Sequence, residues 1–436
     1  MKVMIRLFCV ESLKKILLLM ATAVLLVSCA ERKSATDYSP FVQREGTCFM
    51  LKGQEYRFVG TNFWYGAILG SEGQGGDRQR LCRELDRLHE LGIDNLRILV
   101  GSDGQRGIAT KVEPTLQVAP GVYNDTILAG LDYLLQQMGA RDMKAVLYLN
   151  NSWEWSGGYG FYLEQAGQGK QPRPETDGYP AFMQAMSRYA DCDSAHQLFY
   201  DYVRFIIKRT NQYTRVPYTD DPAIMAWQIG NEPRAFSEEA KEPFAQWLSE
   251  ASALIRSLDR NHLISIGSEG IWGCENDSAL YARISSDPNI DYLTAHIWPY
   301  NWSWARQDSL AEDVDQACRL SGQYLSQHTA IANRLQKPLV VEEFGYPRDG
   351  FVFNPASPTT ARDSYYDYIF SMAMADALVK GCNFWGWGGE ARPRHQQWMV
   401  GDDYTGDPAQ EAQGLNSVFD CDSTTLSVIK KYNAKE

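Results

Sequence analysis

Two short segments of the sequence place carboxylic acids directly after an apolar run. In the first, residues 223–229 are almost continuously apolar, which is typical of a parallel strand buried on both faces, and Asn231-Glu232-Pro233 follows. Proline lacks an amide hydrogen and disfavours helix at the residue before it. We therefore expect the strand to end here, with Asn231 and Glu232 at its carboxyl end.

The second segment repeats this arrangement. Pro338 ends a preceding helix, residues 339–341 form a buried strand, and Glu342 and Glu343 follow. Successive side chains of a strand point to opposite sides, so only one of these two acids faces the barrel axis, and the alternation does not say which. Two carboxylates suit glycoside hydrolysis, in which one protonates the leaving oxygen and the other attacks the anomeric carbon or activates water.

These acids need a scaffold that brings strand ends together. After a small hairpin that begins at Cys48, predicted strands and helices alternate. Eight strands separated by helices predict parallel pairing and a single (β/α)8 TIM barrel of the α/β class, with its active site at the carboxyl ends of the strands. The predicted strands are residues 56–62, 95–100, 143–149, 223–229, 262–266, 292–297, 339–341 and 382–387. The predicted helices are residues 77–92, 124–141, 196–213, 243–258, 277–286, 309–335 and 361–379, with a last helix beginning near Ser423.

Further polar and aromatic residues fall at the same strand ends. Arg97 lies in strand two, and it needs a carboxylate partner because burying an unpaired charge is costly. We expect this partner to be Glu343, which the pairing would keep ionised, whereas Glu232 needs a raised pKa to act as an acid. A structural ion pair with another acid is the alternative. The other strand-end residues are Asn150, Asn151, His296, Trp298, Trp385 and Trp387.

Aromatic residues are concentrated in the predicted loops. Residues 150–162, after strand three, hold two Trp, two Tyr and three Gly. Aromatic rings suit sugars, whose axial hydrogens pack on the ring face while their hydroxyl groups keep polar partners. We expect about half of the loop tryptophans to contact ligand and the others to belong to the core. These tryptophans are Trp64, Trp153, Trp155, Trp272, Trp302, Trp304 and Trp398.

Charge and motif content exclude several classes of function. The formal net charge of −12 disfavours nucleic acid as a partner. Six histidines occur without His-x-x-x-His or Glu-x-x-His spacing, so we expect no metal and no other cofactor. Neither a Gly-x-Ser-x-Gly elbow nor a phosphate-binding loop is present in the sequence, which leaves acyl and phosphoryl transfer without support.

The first 40 residues are predicted to export and anchor the protein. Lys14 and Lys15 precede an apolar run, residues 16–27, that is too short to span a bilayer as a mature helix. We interpret residues 1–28 as a signal peptide, and the sequence before Cys29 resembles a bacterial lipoprotein box, in which Cys29 would be lipidated. Residues 29–40 then form a polar linker and residues 41–436 the barrel. A plain signal peptide with an incidental cysteine is the alternative.

The mature chain has a stronger negative charge and few cysteines. Residues 1–28 hold four basic and one acidic residue, so their removal makes the formal net charge −15. Seven cysteines remain besides Cys29, and their wide spacing argues against zinc and permits disulfides of undetermined pairing. We expect a monomer held in the outer membrane by lipid alone, on either its periplasmic or its cell-surface face.

Six motifs make the chain resemble glycoside hydrolase family 5 of clan A, and within it the β-mannanases. Each motif is weak alone, but six in the correct order and spacing are specific, and they cover the barrel from about residue 56 to 390. The motifs are GTNFWYG at 60–66, NLRIL at 95–99, GNEP at 230–233, HIWP at 296–299, EEFG at 342–345 and FWGWGG at 384–389.

The resemblance implies roles for individual residues. Glu232 would be the acid/base, and Glu343, rather than Glu342, would be the nucleophile. Asn231 would bind the hydroxyl group beside the anomeric carbon. Arg97 and His296 would support the two carboxylates, and Trp385 would be the sugar platform. The substrate-binding residues predicted in this way are Trp64, Arg97, Asn151, Asn231, His296, Trp298 and Trp385.

One position departs from the family pattern. Trp298 stands where the family usually has a tyrosine that hydrogen-bonds to the nucleophile. An indole N–H donates one hydrogen bond and accepts none. The role of Trp298 is therefore open at this stage, and Tyr300 is the alternative donor.

We expect a retaining endo-1,4-β-mannanase that hydrolyses β-1,4-mannosidic bonds in mannan, glucomannan or galactomannan. An exo-acting β-mannosidase of the same family is the nearest alternative, favoured if the long segment 388–414 after strand eight folds over one end of the cleft. A β-1,4-glucanase on the same scaffold comes next. A non-catalytic glycan-binding lipoprotein is disfavoured because both Glu232 and Glu343 are present.

Overall fold

Eight of the fifteen strands in the described part of the chain form the parallel sheet that positions the site. The computed structural model describes residues 38–104 and 107–433. The strands are β1 (Gln43–Glu45), β2 (Cys48–Leu51), β3 (Gln54–Tyr56), β4 (Phe58–Asn62), β5 (Asn95–Leu99), β6 (Gln117–Ala119), β7 (Val122–Tyr123), β8 (Lys144–Tyr148), β9 (Ile224–Gln228), β10 (Leu263–Ser265), β11 (Leu293–Ile297), β12 (Leu339–Phe344), β13 (Val379–Phe384), β14 (Trp387–Gly389) and β15 (Val418–Phe419). Neighbours in the main sheet follow the order β10, β9, β8, β5, β4, β13, β12, β11, and all seven pairs are parallel.

Backbone hydrogen bonds join the two outer strands of this order. The N–H of Asp291, just before β11, donates to the carbonyl of Ile264 at 2.8 Å, and the N–H of His296 donates to the carbonyl of Glu269 at 3.0 Å. The first and last strands of the sheet are therefore neighbours as well, and the sheet closes into a barrel, as predicted.

Helices surround the barrel and bury an apolar stripe against it. Asp77 accepts a hydrogen bond from the backbone N–H of Arg80 and so caps α2, whose Leu81, Leu85 and Leu88 are fully buried. The helices are α1 (Gly66–Leu69), α2 (Arg78–Glu90), α3 (Asp125–Gly139), α4 (Gly158–Gln165), α5 (Pro174–Asp177), α6 (Tyr179–Met186), α7 (Asp193–Ile207), α8 (Lys241–Leu258), α9 (Ser278–Ser285), α10 (Leu310–Leu335), α11 (Thr360–Ala375) and α12 (Ser423–Asn433).

The antiparallel sheet β1–β3 covers the amino-terminal end of the barrel. Phe49 of β2 is fully buried and belongs to one apolar cluster with Met225, Leu263 and Tyr292, which lie at or near the amino ends of three barrel strands. The apolar contacts at this end stabilise the barrel and leave the carboxyl ends of the strands free for function.

The structure confirms all eight predicted barrel strands and corrects two regions. Strand eight spans Val379–Phe384, not 382–387, and the helix before it ends at Ala375. The structure also contains α4, α5 and α6 between β8 and α7. No helix was predicted there, because the stretch has many glycines and little apolar periodicity. The glycines at 157 and 158 both have positive φ and approach other backbone closely, which allows the chain to turn into α4.

Part of the N-terminal prediction lies outside the described residues. The signal peptide 1–28 and Cys29 are not described, and the domain boundaries stay predictions. Within the described ranges, no helix is both long and apolar enough to cross a membrane. All seven described cysteines are free thiols. The disulfides that the sequence analysis allowed are therefore not formed among them.

Candidate active site

Glu232 lies in the turn that follows β9. Its backbone has φ of 51°, in the left-handed region that non-glycine residues rarely adopt. Its N–H donates to the carbonyl of Gly267 at 2.8 Å, and its carbonyl accepts a hydrogen bond from the Ser152 hydroxyl at 2.5 Å. The surrounding loops therefore hold a strained residue in place, as is common where a side chain has a chemical task.

The two acids of β12 have different surroundings. The Glu343 carboxylate lines the cleft at this end of the barrel and accepts hydrogen bonds from Arg97 and from the Trp298 indole N–H, the latter at 3.2 Å. Glu342 is instead inside the barrel, where both its oxygens accept from the Gln228 amide at 2.8 Å. The expectation that only one of these acids faces the barrel axis was therefore wrong, because Glu342 is also 3.7 Å from Arg97 and 3.8 Å from His296. Only Glu343, one residue nearer the carboxyl end of β12, reaches the cleft. Trp298, rather than Tyr300, supplies the hydrogen bond to this carboxylate.

Arg97 connects the strands below the cleft. It is fully buried, and besides Glu343 its guanidinium contacts Gln228 at 2.8 Å, Asn231 at 2.8 Å and Asn62 at 3.1 Å. A buried guanidinium is stable only when its donors are used in this way. The ion pair that the sequence analysis expected with Glu343 is present, and the same side chain orients Asn231 beside it.

His296 lies between the two carboxylates. Its Nδ1 is 2.7 Å from a Glu232 oxygen and 3.3 Å from a Glu343 oxygen. One atom from each of Glu232, His296 and Glu343 can be chosen so that all three lie within 4.8 Å of one another. This set has the spacing of metal ligands, but its atoms already hydrogen-bond to one another, and the prediction that no metal takes part stays a prediction.

The pKa values of the two catalytic acids are shifted in the opposite directions from those expected. Burial acts to raise the pKa of Glu232, but the hydrogen bond and charge of His296, the Trp153 hydrogen bond and the Arg97 charge together outweigh it, so this pKa lies below its ordinary value. Burial raises the pKa of Glu343 above its ordinary value, and the charges of His296 and Arg97 oppose it only in part. The prediction of a raised pKa for the acid and a low one for the nucleophile was therefore wrong for this state, because His296 is closer to Glu232.

The same interactions change His296. Burial acts to lower its pKa, but the Glu343 charge and the Glu232 hydrogen bond raise this pKa to about 10. His296 is therefore an imidazolium at neutral pH, and the proton that acid catalysis needs is held in the hydrogen bond between His296 and Glu232.

The cleft above these residues has a volume of about 880 Å³ and is lined mainly by aromatic and polar side chains. The Trp153 indole donates to Glu232 at 2.5 Å, and Trp272 stacks on Trp302 with ring centroids 4.7 Å apart. Such a lining fits a neutral, hydroxyl-rich ligand. The other lining residues are Glu154, Trp155, Tyr179, Asn231, Arg234, Glu269, Trp298, Tyr300, Asn301, Ser303, Ala305, Arg306, Gln307, Glu343, Phe351, Trp385, Gln410, Glu411, Ala412 and Leu415.

Comparison with known proteins decides the family. The family model described as "GH family 5 beta-mannosidase-like" matches residues 39–436. The chain belongs to this family. It is 28% identical over 389 residues to mannan endo-1,4-beta-mannosidase 1 of Oryza sativa subsp. japonica, with 85% of this chain and 84% of the relative covered. The structural match to a glycoside hydrolase family 5 mannosidase from Rhizomucor miehei has 33% identity and a TM-score of 0.83, covering 90% and 96% of the two chains.

A third comparison concerns the fold alone. The endo-1,4-beta-mannanase of Rhizomucor miehei matches with 23% identity and a TM-score of 0.67, over 91% of this chain and all of that one. The family 5 assignment and the carboxylate pair together make the chain a glycoside hydrolase built on a (β/α)8 barrel.

Four of the seven predicted substrate-binding residues are buried and do not line the family 5 cleft. Trp64 is buried and donates its indole N–H to the carbonyl of Gly406 at 3.1 Å, so it supports the loop after β13. Asn151 is fully buried, and its side-chain oxygen accepts from the Asn231 amide at 3.3 Å. Arg97 and His296 are likewise buried beneath the carboxylates, whereas Asn231, Trp298 and Trp385 line the cleft.

Six acidic or amide residues of the cleft lining were not predicted, and Glu269, Gln410 and Glu411 are three of them. Glu269 follows β10 and is 3.4 Å from Arg234, so its place after a strand could have identified it. Gln410 and Glu411 lie in the long segment after β13, where no strand end or motif points to single residues. This enzyme of family 5 therefore has polar cleft residues that its catalytic motifs do not include.

Proposed function

We propose that this enzyme is a retaining endo-1,4-β-mannanase that cleaves β-1,4-mannosidic bonds in mannan, glucomannan or galactomannan. The observation that carries the mechanism is the separation of the two carboxylates, whose selected oxygens lie within 4.8 Å of each other. Retaining enzymes have carboxyl groups about 5–5.5 Å apart, whereas inverting enzymes need about 6.5–9.5 Å to admit a water molecule.

In the first step, a Glu343 oxygen attacks the anomeric carbon as the bond from that carbon to the glycosidic oxygen breaks. Glu232 donates a proton to the leaving oxygen, which departs as a hydroxyl group of the released sugar. The product of this step is a glycosyl ester of Glu343 and an ionised Glu232. The indole N–H of Trp298 and the guanidinium of Arg97 hold the attacking carboxylate in position.

His296 supplies the proton balance for this step. As Glu343 forms its ester, the negative charge that most raises the pKa of His296 disappears. The proton in the hydrogen bond between His296 and Glu232 then moves toward the carboxylate, where it is needed. In the second step, ionised Glu232 takes a proton from water, the water oxygen attacks the anomeric carbon, and Glu343 leaves with the β configuration restored. As the charge of Glu343 returns, the proton passes from Glu232 back to His296.

The substrate part of the proposal rests on the relatives. The relatives named above include a mannan endo-1,4-beta-mannosidase of similar length. A variant of the Rhizomucor miehei mannosidase has been solved in complex with mannosyl-fructose, at 33% identity to this chain. A neutral β-mannan also fits an acidic cleft, in which an anionic sugar would be repelled.

Product profiles test this proposal. With mannohexaose we expect mannobiose and mannotriose early, and the viscosity of soluble galactomannan should fall before much reducing sugar appears. Proton NMR of the first product should show the β anomer. Hydrolysis of a β-1,4-glucan in preference to mannan would instead identify a β-1,4-glucanase. No hydrolysis of either polymer, with glycan binding retained, would identify a binding protein.

Exo-action is a second candidate because residues of the segment after β13 enter the cleft. Gln410, Glu411, Ala412 and Leu415 all contribute to its lining. If these residues block the path of a chain beyond the cleavage site, the enzyme is a β-mannosidase. Mannose as the sole early product from mannohexaose, with the viscosity of galactomannan unchanged, would establish this alternative.

We also propose that lipid on Cys29 holds the enzyme in the outer membrane. The support is sequence alone: the residues before Cys29 resemble a lipoprotein signal. The protein should partition into detergent, and Cys29→Ala should move it to the aqueous phase. Mass spectrometry of the mature N-terminus decides the question, since an unmodified N-terminus beyond Cys29 contradicts the proposal.

A further inference from the structure

Three buried polar atoms of the cleft have no hydrogen-bond partner. They are the Trp385 indole nitrogen, Gln410 Oε1 and Glu411 Oε2. All three residues line the cleft that holds Glu232 and Glu343. A buried polar atom without a partner is destabilising, so a cluster of such atoms in a cleft indicates groups that are satisfied by ligand.

Glu411 lies close to the nucleophile. Burial first, and then the charges of Asp407 and Glu343, raise the pKa of Glu411 well above its ordinary value. Asn416, five residues further along the same segment, packs against Gly345, two residues after Glu343. These contacts bring the segment that carries Glu411 to the strand end that carries the nucleophile, and both carboxyl groups line the same cleft.

The segment that carries Gln410 and Glu411 is held rigid. The buried Asp407 carboxylate accepts hydrogen bonds from the N–H groups of Gly414 at 2.9 Å, Asn416 at 2.8 Å and Ser417 at 3.2 Å. Because one side chain fixes the backbone on the far side of Glu411, the unpartnered atoms are pre-positioned and no large loop movement is needed to use them.

We propose that Gln410 and Glu411 accept hydrogen bonds from hydroxyl groups of the sugar ring that Glu343 attacks, and so determine which sugar is cleaved. Their oxygens are acceptors and a pyranose ring presents hydroxyl donors, so the ligand chemistry is complementary. The ring must be uncharged, because an anionic sugar would be repelled by the two catalytic carboxylates. This inference rests on the proposed hydrolytic function and adds the residues that select its substrate.

Deoxy sugars test the proposal directly. The substrates are 2,4-dinitrophenyl β-mannoside, in which a single sugar occupies the attacked position, and its 3-deoxy, 4-deoxy and 6-deoxy analogues. For Glu411→Ala we expect kcat/KM on the parent sugar to fall about 100-fold, and for Gln410→Ala about 10-fold. On the analogue that lacks the bound hydroxyl group, the kcat/KM values of wild type and variant should agree within about twofold.

The matched control is Asp403→Ala, which removes an exposed carboxylate from the same segment. It should leave kcat/KM within about twofold on every substrate. An equal loss for Glu411→Ala on all four sugars would overturn the proposal, because a purely structural role does not depend on one hydroxyl. An unchanged rate on the parent sugar would overturn it as well, since the residue would then act on a more distant sugar.

The position of the hydroxyl group that proves to be coupled to Gln410 or Glu411 carries further information. This is the group whose removal makes wild type and variant equally active. In a β-1,4-linked chain the oxygen at carbon 4 is a hydroxyl group only at the non-reducing end. Coupling to the 3- or 6-hydroxyl therefore fits a chain that continues past this position, whereas coupling to the 4-hydroxyl identifies recognition of a chain end. If the wild type cleaves the β-glucoside and not the β-mannoside, the mannanase proposal fails, and the same comparison with deoxy-glucosides still tests Gln410 and Glu411.

Discussion

The strand ends that carry the catalytic residues and the segment after β13 border the same cleft. The two regions differ in whether their polar side chains already have hydrogen-bond partners within the protein. At the strand ends, Arg97, His296 and the two catalytic carboxylates hydrogen-bond to one another. In the segment after β13, Gln410 and Glu411 keep unpartnered oxygens in the cleft. The comparison indicates that the groups for bond cleavage are pre-assembled, whereas the groups for recognition wait for a sugar to complete their hydrogen bonds.

The difference follows from how each region is built. Barrel strands fix their side chains through neighbours on both sides, so most of a charged network can be satisfied within the protein, although His296 Nε2 has no hydrogen-bond partner. A loop has fewer neighbours, and here Asp407 supplies its rigidity while the tip is left for the ligand. Four experiments test this distinction between the two regions.

The largest effect is expected at the nucleophile. Glu343→Ala should lower kcat by at least about 10⁴-fold, because no other group can form the glycosyl ester. Azide should restore activity with an α-configured glycosyl azide as product, since a small anion fits the space left by the carboxylate. The comparison variant is Glu342→Gln, whose losses azide should not rescue. If Glu342→Gln were rescued and Glu343→Ala remained active, the two assignments would be exchanged.

The anchor of the loop should have an intermediate effect. Asp407→Ala should lower kcat/KM about 30-fold and the free energy of unfolding by about 2–4 kcal/mol, because three backbone N–H groups lose their acceptor. Limited proteolysis should cut the segment 407–417 faster than in wild type. Asp403→Ala is the control. Unchanged proteolysis with unchanged activity would show that the segment does not depend on Asp407.

A smaller effect is expected for the indole that contacts the nucleophile. Trp298→Phe should lower kcat/KM about 10-fold, because Glu343 loses one hydrogen-bond donor while an aromatic ring is kept. Trp298→Tyr should recover part of this loss if its hydroxyl group reaches the carboxylate. Equal rates for Trp298→Phe and wild type would mean that this hydrogen bond does not affect the reaction.

The smallest effect concerns pH. Burial and the charge of Glu232 raise the pKa of Glu269 from 4.5 to about 8. The folded protein therefore keeps a proton that the unfolded chain releases, and its stability falls as pH rises from 4.5 to about 8. Glu269→Gln removes this dependence, so its thermal midpoint should equal that of wild type near pH 4 and exceed it by a few degrees at pH 8. A variant that is less stable at both pH values would contradict the pKa argument.

Much of the barrel and of its catalytic centre could be predicted because both depend on local pattern. Buried apolar runs such as β9 and β12 mark strands, and residues directly after them meet at one end of the barrel. The pair of Arg97 and Glu343 followed from the cost of burying a lone charge. The choice of Glu343 over Glu342 depended on the family resemblance, and the structure explains it because Glu343 lies nearer the carboxyl end of β12 and reaches the cleft.

The remainder depends on contacts between residues distant in sequence. Trp64 belongs to a family motif, yet it packs under the segment after β13, which no strand pattern locates. Gln410 and Glu411 enter the cleft because Asp407 fixes the backbone around them. The pKa of Glu232 depends on its burial and on contacts with His296, Trp153 and Arg97. These contacts exist only once the chain has folded.

The hydrogen bond from the His296 backbone to Glu269 joins β11 to the residues after β10 and so helps to close the barrel, and the side chain of the same residue contacts both catalytic carboxylates. A chain whose barrel has not closed therefore cannot align the groups that break a glycosidic bond. Enzymatic rate during refolding should rise with barrel closure and not with the earlier gain of helix signal. Hydrolysis of a chromogenic mannoside would thus serve as a real-time indicator that folding is complete.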